Sequence, residues 1–193
     1  MPTPSFISIF DHVLSAEECS SALSFFLDQD NLQPAPAGGI TDKSQKDGRC
    51  LPLSFDSYDK NSEQICNLLR SRVETCIRHY TKIYPELHKY ISFWRLDPSF
   101  HMQEFPENGG CFIPHCEQGG VPVARRIISW MIYLNNARSG TYFLFQDQTI
   151  EASQGKVVIW PAAWTHIHHG VIPNQDKKYI VSGWCSFYSP FAS

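Results

Sequence analysis

The chain has 193 residues, of which 42% are hydrophobic and 13% aromatic, and its formal net charge is −3. We expect a single domain over residues 1–193, because this length and composition suit one sizeable core. The balanced charge, with no block of Lys or Arg, argues against a nucleic-acid partner. No apolar run approaches the roughly 18 residues of a membrane span, so no membrane partner is expected.

The seven cysteines are scattered, odd in number and without a Cys-x-x-Cys pair. The first residues carry neither the basic start nor the apolar stretch of a signal peptide. We therefore expect reduced thiols in a cytoplasmic protein, rather than a disulfide framework or a zinc knuckle.

The first element of the chain is a weakly alternating segment, residues 6–10, which predicts a strand. Ser15 is followed three residues later by Glu18, the pattern of a capping box, and apolar residues then recur at helical spacing. The sequence therefore predicts a helix that begins after Ser15 and ends at about Gln29.

The next segment, residues 33–50, is rich in Pro, Gly and charged residues and predicts an exposed, mobile loop. An apolar stripe then predicts a helix over 61–83, which Pro85 closes. Short apolar or alternating runs follow, separated by Gly, Pro and Asn turns, and predict eight strands. They are residues 91–96, 100–105, 111–117, 126–134, 141–146, 156–160, 167–172 and 178–187.

Helices followed by many short strands predict an α+β fold with an antiparallel jelly roll, or double-stranded β-helix. We expect helical support over about 1–90, packed on one sheet, and a jelly-roll core over about 91–193. Jelly rolls leave a mouth at one end, where residues of several strands can converge on a small ligand.

A His-x-Glu pair, His115 and Glu117, lies in the predicted strand 111–117. Side chains alternate along a strand, so this pair would share one face. About fifty residues later, His166 and His168 also share one face, and either could supply a third ligand. Two histidines and one carboxylate on one side of a metal form the facial triad whose usual occupant is Fe(II) in oxygenases.

A cation that follows the distal histidine would give such a site a grip on an anionic co-substrate. Lys177 and Lys178 both stand in that position, directly before and at the start of the last predicted strand. Cys116, between the His and the Glu, would point away from the metal and into the core.

Residues 103–187 resemble the catalytic core of the 2-oxoglutarate- and Fe(II)-dependent oxygenases of the prolyl 4-hydroxylase-like kind. Five segments match in order, and residues 6–27 add a weaker match to the leading strand and helix of the family. The five are 105–117 (like Tyr/Phe…Gly…Tyr-x-x-His-x-Asp), 126–135 (Arg…Tyr-Leu-Asn), 139–143 (a shortened Gly-Gly-x-Thr-x-Phe turn), 155–161 (Gly-x-x-x-x-Phe-Pro) and 178–184 (Lys/Arg-Tyr-x-x-x-x-Trp).

The resemblance implies roles for three groups of residues. They are the metal ligands and catalytic residues His115, Glu117 and His168, the 2-oxoglutarate-binding residues Lys178, Tyr133 and Thr141, and the possible substrate-pocket residues Arg126, Trp184 and Phe105. His166 would then lie at the surface or behind a ligand, and Lys177 would be solvated. Three departures from the family pattern are Glu117 in place of Asp, Phe105 and Phe112 in place of tyrosines, and the shortened turn.

The implied cofactors are Fe(II), 2-oxoglutarate as co-substrate, and O2. The implied reaction hydroxylates an unactivated C–H bond of a peptidyl or free amino acid of prolyl type, or of a small metabolite, and converts 2-oxoglutarate to succinate. Residues 33–50 and 85–100 are expected to shape substrate choice. Two alternatives are a zinc-dependent hydrolase, since two His and a Glu also suit catalytic zinc, and a non-catalytic jelly-roll module that binds a metal or ligand.

Overall fold

Two long helices lie in the first half of the chain. The computed structural model describes residues 4–36, 41–57, 59–173 and 175–190. Helix α1 (Ala16–Leu27) begins after Ser15, whose hydroxyl accepts from the Glu18 N–H while the Glu18 carboxylate accepts from the Ser15 N–H, as the predicted capping box requires. Helix α2 (Lys60–Ile83) buries one apolar stripe, and a short α3 (Glu86–Lys89), which the sequence did not predict, follows it.

Over the ranges that the structure describes, twelve strands form one large and two small sheets. They are β1 (Ser8–Phe10), β2 (Gln33–Pro34), β3 (Lys46–Asp47), β4 (Arg49–Ser54), β5 (Trp94–Phe105), β6 (Gly110–Cys111), β7 (Arg126–Tyr133), β8 (Gly140–Phe143), β9 (Gln148–Glu151), β10 (Val157–Pro161), β11 (His168–Val171) and β12 (Lys178–Phe187). The large sheet has the order β1-β10-β7-β12-β5-β4-β2, and the small sheets are β11-β8-β9 and β3-β6. All these pairings are antiparallel.

The two faces of the large sheet bury different layers. On one face, side chains such as Trp130 and Val181 pack with Phe26 of α1 and Leu69 of α2. On the other face, residues including Met131 pack with the small sheet β11-β8-β9. Successive residues of β7 alternate between the two layers, as strand geometry requires. The helices therefore support the large sheet from behind, and the space in front of it remains for a site.

Three predictions about strands were wrong. The runs 91–96 and 100–105 form one strand, β5, and the predicted strand 141–146 ends at Phe143, with β9 following as a separate strand. The predicted strand 111–117 is reduced to β6 and an isolated bridge at His115. Its backbone N–H groups bond to separate segments, because Phe112 donates to Gln45 and His115 to His168. No continuous ladder can form from such bonds.

The predicted loop 33–50 contains paired backbone. Strand β2 pairs with β4, and β3 pairs with β6, so both ends of this segment extend sheets. The pairing satisfies backbone groups that composition alone assigned to solvent. Residues 37–40, in the middle of the predicted loop, lie outside the described residues.

Candidate active site

The three side chains predicted as metal ligands converge in front of the large sheet. Oε1 of Glu117 lies 3.5 Å from Nε2 of His115 and 3.6 Å from Nε2 of His168. The two imidazole rings are 4.5 Å apart between centroids. Within the part of the chain that the structure describes, this is the one group of three or more His, Cys, Asp or Glu side chains whose ligand atoms all lie within 4.8 Å of one another.

A backbone bridge brings the distant parts of this triad together. The His115 N–H donates to the His168 carbonyl, and the His168 N–H donates to the His115 carbonyl, at 3.0 and 2.9 Å. Glu117 follows in a turn, not on a strand, and the next N–H, of Gln118, bonds to Ala162. The carboxylate therefore reaches the histidines through a turn, and the strand alternation that predicted their common face does not apply.

The hydrogen bonds of both imidazoles suit metal ligation. Nδ1 of His115 lies 3.0 Å from the Ile113 carbonyl oxygen, and Nδ1 of His168 lies 2.9 Å from that of His166. Since a carbonyl only accepts, each Nδ1 carries a proton, and each Nε2 faces Glu117 and is the nitrogen left for a metal. Burial disfavours the charged carboxylate, but hydrogen bonds and charge interactions with the two imidazoles outweigh it and hold the pKa of Glu117 well below its usual value. Burial also disfavours charge on His115, but its contacts with Cys111 and Glu117 raise its pKa to about 10, so a bound metal would take the place of a proton on Nε2. Two imidazole nitrogens and one ionised carboxylate fit a divalent iron.

The second oxygen of Glu117 is held by two residues that the sequence placed in a substrate pocket. Oε2 accepts a hydrogen bond of 2.8 Å from Nε1 of Trp184 and lies 3.5 Å from Nη1 of Arg126. The Arg126 guanidinium carbon lies 3.4 Å from the centroid of the Trp184 ring. Both side chains therefore orient the carboxylate and leave Oε1 facing the histidines.

Lys178 places a buried ammonium deeper in the same interior. Its side chain is 3% exposed, and Nζ donates to the carbonyls of Gly140 and Val171 at 2.9 and 3.3 Å. No carboxylate among the described residues pairs with it, and burial lowers its pKa to about 8. A buried cation without a counterion is the feature expected of an anion site.

Lys177 lies on the opposite face of the strand and has a different environment. Its side chain is 54% exposed, and Nζ lies 3.7 Å from Glu104, a buried carboxylate that also bonds to Arg49 at 2.7 Å. Lys177 thus contributes to an ion-pair cluster at the sheet edge, away from the space in front of the sheet.

The remaining predicted co-substrate residues lie in the buried layer in front of the large sheet. The Tyr133 hydroxyl lies 2.8 Å from the Thr141 hydroxyl oxygen and 3.3 Å from the Ile150 carbonyl, and Tyr133 and Thr141 are both buried. The Phe105 ring centroid is 5.3 Å from the Lys178 Nζ. Phe105 and Tyr133 belong to one buried cluster, and Thr141 follows Gly140, whose carbonyl accepts from Lys178.

Comparison with known families identifies this arrangement. Residues 100–186 match the family model of the 2OG-Fe(II) oxygenase superfamily. The match covers somewhat under half of the chain and includes all three residues of the triad. The protein is accordingly an oxygenase, and Fe(II), 2-oxoglutarate and O2 are its cofactors. The alternatives of a zinc-dependent hydrolase and a non-catalytic module are therefore set aside.

Solved structures show the same fold at low sequence identity. A Pseudomonas putida prolyl-4-hydroxylase has a TM-score of 0.68 and 15% identity, covering 95% of this chain and 94% of its own. The viral collagen prolyl hydroxylase of Paramecium Bursaria Chlorella virus-1, as its 2OG complex, gives 0.70 and 14%, with 95% and 97% covered. A Trichoplax adhaerens prolyl hydroxylase, in complex with a hypoxia inducible factor peptide fragment, gives 0.76 and 13%, with 94% and 84% covered.

No curated protein matches this oxygenase by sequence. Among the described residues, none of the helices combines the length and apolar character that crossing a membrane requires. All seven cysteines are free thiols, as expected.

The structure also places His166 and Cys116, the two neighbours of the predicted ligands. His166 is 3% exposed, with Nε2 bonded to the Ser5 carbonyl at 2.8 Å and Nδ1 to Thr165 at 2.9 Å, so its ring is fully engaged away from the triad. Its backbone carbonyl instead orients His168. Cys116 was predicted to lie in the core but is only half-buried, because the turn at 117–118 leads the chain to the surface.

Sequence reasoning missed two polar residues of the oxygenase interior, Gln103 and Ser182. The Gln103 side chain is buried and donates from Nε2 to the Ser182 hydroxyl oxygen at 2.9 Å, while its Oε1 has no hydrogen-bond partner among the described residues. An unpaired buried amide oxygen costs about 1–3 kcal/mol. Alternation along the predicted strand 100–105 places Gln103 on the same face as Phe105, and that signal could have revealed it.

The two cavities described near α1 and α2 lie away from this site. One of about 510 Å³ lies at the start of α1, lined by residues that include His12, Glu18, Arg72 and Gln154. None of the proposed metal or co-substrate residues lines it, so the chemistry gives no reason to place the reaction there.

Proposed function

We propose that this oxygenase is a 2-oxoglutarate-dependent hydroxylase whose Fe(II) is bound by Nε2 of His115, Oε1 of Glu117 and Nε2 of His168. The observation that carries the proposal is the convergence of this triad in front of the same sheet face that presents the uncompensated ammonium of Lys178. We further propose that the facing sheets form the predicted jelly roll and that residues 1–193 act as one domain.

Each residue around the triad has a defined task in this proposal. Lys178 binds the distal carboxylate of 2-oxoglutarate, and the charge pair relieves the burial that lowers its pKa. Tyr133 and Thr141, bonded to each other, line the wall beside it. Trp184 and Arg126 hold the outer oxygen of Glu117 and so fix the direction of its inner oxygen.

Bound Fe(II) supplies the oxidising chemistry, in which O2 and 2-oxoglutarate are converted to succinate and CO2 as the substrate is hydroxylated. The protein positions the co-substrate and excludes water from the site, since Lys178, Tyr133 and His168 are all buried. No side chain needs to act as a general acid or base.

The substrate class proposed is a peptidyl or free amino acid of prolyl type, or a small metabolite. Support comes from the structural neighbours, which include proteins named prolyl hydroxylases and one in complex with a peptide fragment. An exposed aromatic pair, Phe145 and Trp164, lies within three residues of Phe143 and Ile167 and so flanks the strands that carry the site.

The test is succinate formation from 2-oxoglutarate with added Fe(II), with candidate peptides and amino acids screened for the mass gain of one oxygen atom. We expect turnover in the wild type, none in His168→Ala, and near-normal turnover in Lys177→Ala as the control. Absence of Fe(II)-dependent succinate formation with any candidate substrate, together with absence of 2-oxoglutarate binding, would contradict the proposal.

A further inference from the structure

The site-facing surface of the large sheet is built from rows of side chains in register. One row joins Tyr133 of β7, Ile180 of β12 and Gln103 of β5, which are direct cross-strand partners. The neighbouring row pairs Lys178 with Phe105. Since neighbours on one face of a sheet lie about 5–8 Å apart, Gln103 lies diagonally beside the proposed co-substrate anchor.

The direction of Gln103 follows from the alternation of β5. Phe100 and Met102 pack against the helices, whereas Phe105 packs in the cluster in front of the sheet. Gln103 has the parity of Phe105 and therefore faces the interior that contains the triad and Lys178.

The Gln103 amide is buried but incompletely used. The residue is 5% exposed, Nε2 donates to the Ser182 hydroxyl, and Oε1 has no partner in the described part of the chain. A hydroxyl both donates and accepts, so the amide can turn over while Ser182 keeps its bond. The end of the Gln103 amide that does not bond to Ser182 can therefore present either its oxygen or an N–H to a ligand.

The position of this amide matches the path of the co-substrate. Along β12, Lys178, Ile180, Ser182 and Trp184 share the site-facing side, and Trp184 bonds to the carboxylate ligand Glu117. A molecule that joins the ammonium to the metal must pass the segment where Ser182 supports Gln103.

The hydrogen-bonding groups of 2-oxoglutarate decide whether the Gln103 amide presents its oxygen or its N–H. At neutral pH 2-oxoglutarate has only acceptors, in its two carboxylates and its ketone. The Phe105 ring beside Lys178 offers no donor. We propose that Gln103, positioned by Ser182, is a 2-oxoglutarate-binding residue that donates an amide N–H to the co-substrate on the metal side of its Lys178-bound carboxylate. This inference rests on the proposed function.

The test measures 2-oxoglutarate binding without turnover, by calorimetric titration of protein loaded with Mn(II). Gln103→Met removes the donor at similar volume, and Gln103→Glu keeps the shape but presents a negative group. We expect the dissociation constant to rise about 10-fold or more for Met, the loss of one hydrogen bond to a charged acceptor, and further for Glu. Mn(II) affinity should stay unchanged in the Met variant, since Gln103 does not contact the triad.

Gln146→Leu is the matched control, because Gln146 also has a buried unpaired Oε1 but lies in the turn after β8. Its 2-oxoglutarate affinity should equal that of the wild type. Unchanged affinity in Gln103→Met and Gln103→Glu would overturn the inference. So would a weaker interaction confined to the hydroxylation substrate, because Gln103 would then face that substrate. Failure of the wild type to bind 2-oxoglutarate would instead contradict the proposed function. If the Met variant does not fold, the Glu variant, which is nearly isosteric, decides.

Discussion

Replacement of Lys178 by methionine should stabilise the ligand-free protein most below pH 8, where the buried ammonium is charged and its burial costs free energy. The pKa falls from an ordinary value of 10.5 to about 8 through burial. At 1.36 kcal/mol for each pH unit, this difference corresponds to about 3 kcal/mol of free energy by which the charged form destabilises the fold. Lys178→Met removes that cost together with the bonds to Gly140 and Val171.

The pH dependence of the free energy of unfolding separates the cost of the buried charge from the contribution of the bonds to Gly140 and Val171. Below pH 8 the lysine is protonated in both the folded and the unfolded chain, so the full cost is present. Between pH 8 and 10.5 the folded chain releases its proton first, so the unfolded chain binds more protons and stability rises with pH. Above that window both states are neutral. The free energy of unfolding of the wild type should therefore rise by about 3 kcal/mol relative to Lys178→Met across the window.

Urea unfolding at a series of pH values measures this difference directly, because groups common to both proteins cancel. Lys177→Met serves as the control, since its side chain is half-exposed and should show no such rise. A difference between wild type and Lys178→Met that stays constant from pH 7 to 10.5 would refute the idea that the ammonium is buried without a counterion.

The other predictions concern the metal, its carboxylate and the sheet. Alanine should abolish turnover and strongly weaken Fe(II) binding at each of three positions: His115, Glu117 and His168. His166→Ala should keep substantial iron affinity in the same metal titration, and the reverse pattern would exclude His168 as the ligand. Trp184→Phe deletes the N–H that holds the carboxylate ligand, so Fe(II) affinity should fall about 10-fold or more, and an unchanged affinity would contradict this role. Gly183→Ala should lower the free energy of unfolding by about 1–3 kcal/mol or more, because its Cβ would lie 2.3 Å from a ring atom of Trp130. Gly120→Ala is the control and should be neutral, because its Cβ would make only an ordinary contact of 3.9 Å with Pro122.

Local signals were enough to predict the elements behind the site. The capping box at Ser15 and Glu18 and the apolar stripe of α2 act within a few residues of chain, and both helices form within two residues of the predicted bounds. Strand β12 has the predicted bounds 178–187, because its apolar residues and the preceding turn are also local.

Long-range pairing decided the features that local signals could not. Glu117 reaches the histidines from a turn, in a segment whose Phe112, His115 and Gln118 N–H groups bond to partners distant in sequence. Arg126 and Trp184, which belong to different strands, contact the Glu117 carboxylate, although the resemblance implied only a substrate pocket for them.

The sequence by itself determined the helices, most strands and the residue types suited to an iron site. Only the tertiary structure decided that, among the described residues, the ammonium of Lys178 has no counterion and Oε1 of Gln103 has no hydrogen-bond partner. It also decided that Oε2 of Glu117 is held by an indole. Burial and the pairing of polar groups depend on which segments pack together, and the free energy of each buried group is set by neighbours from several strands.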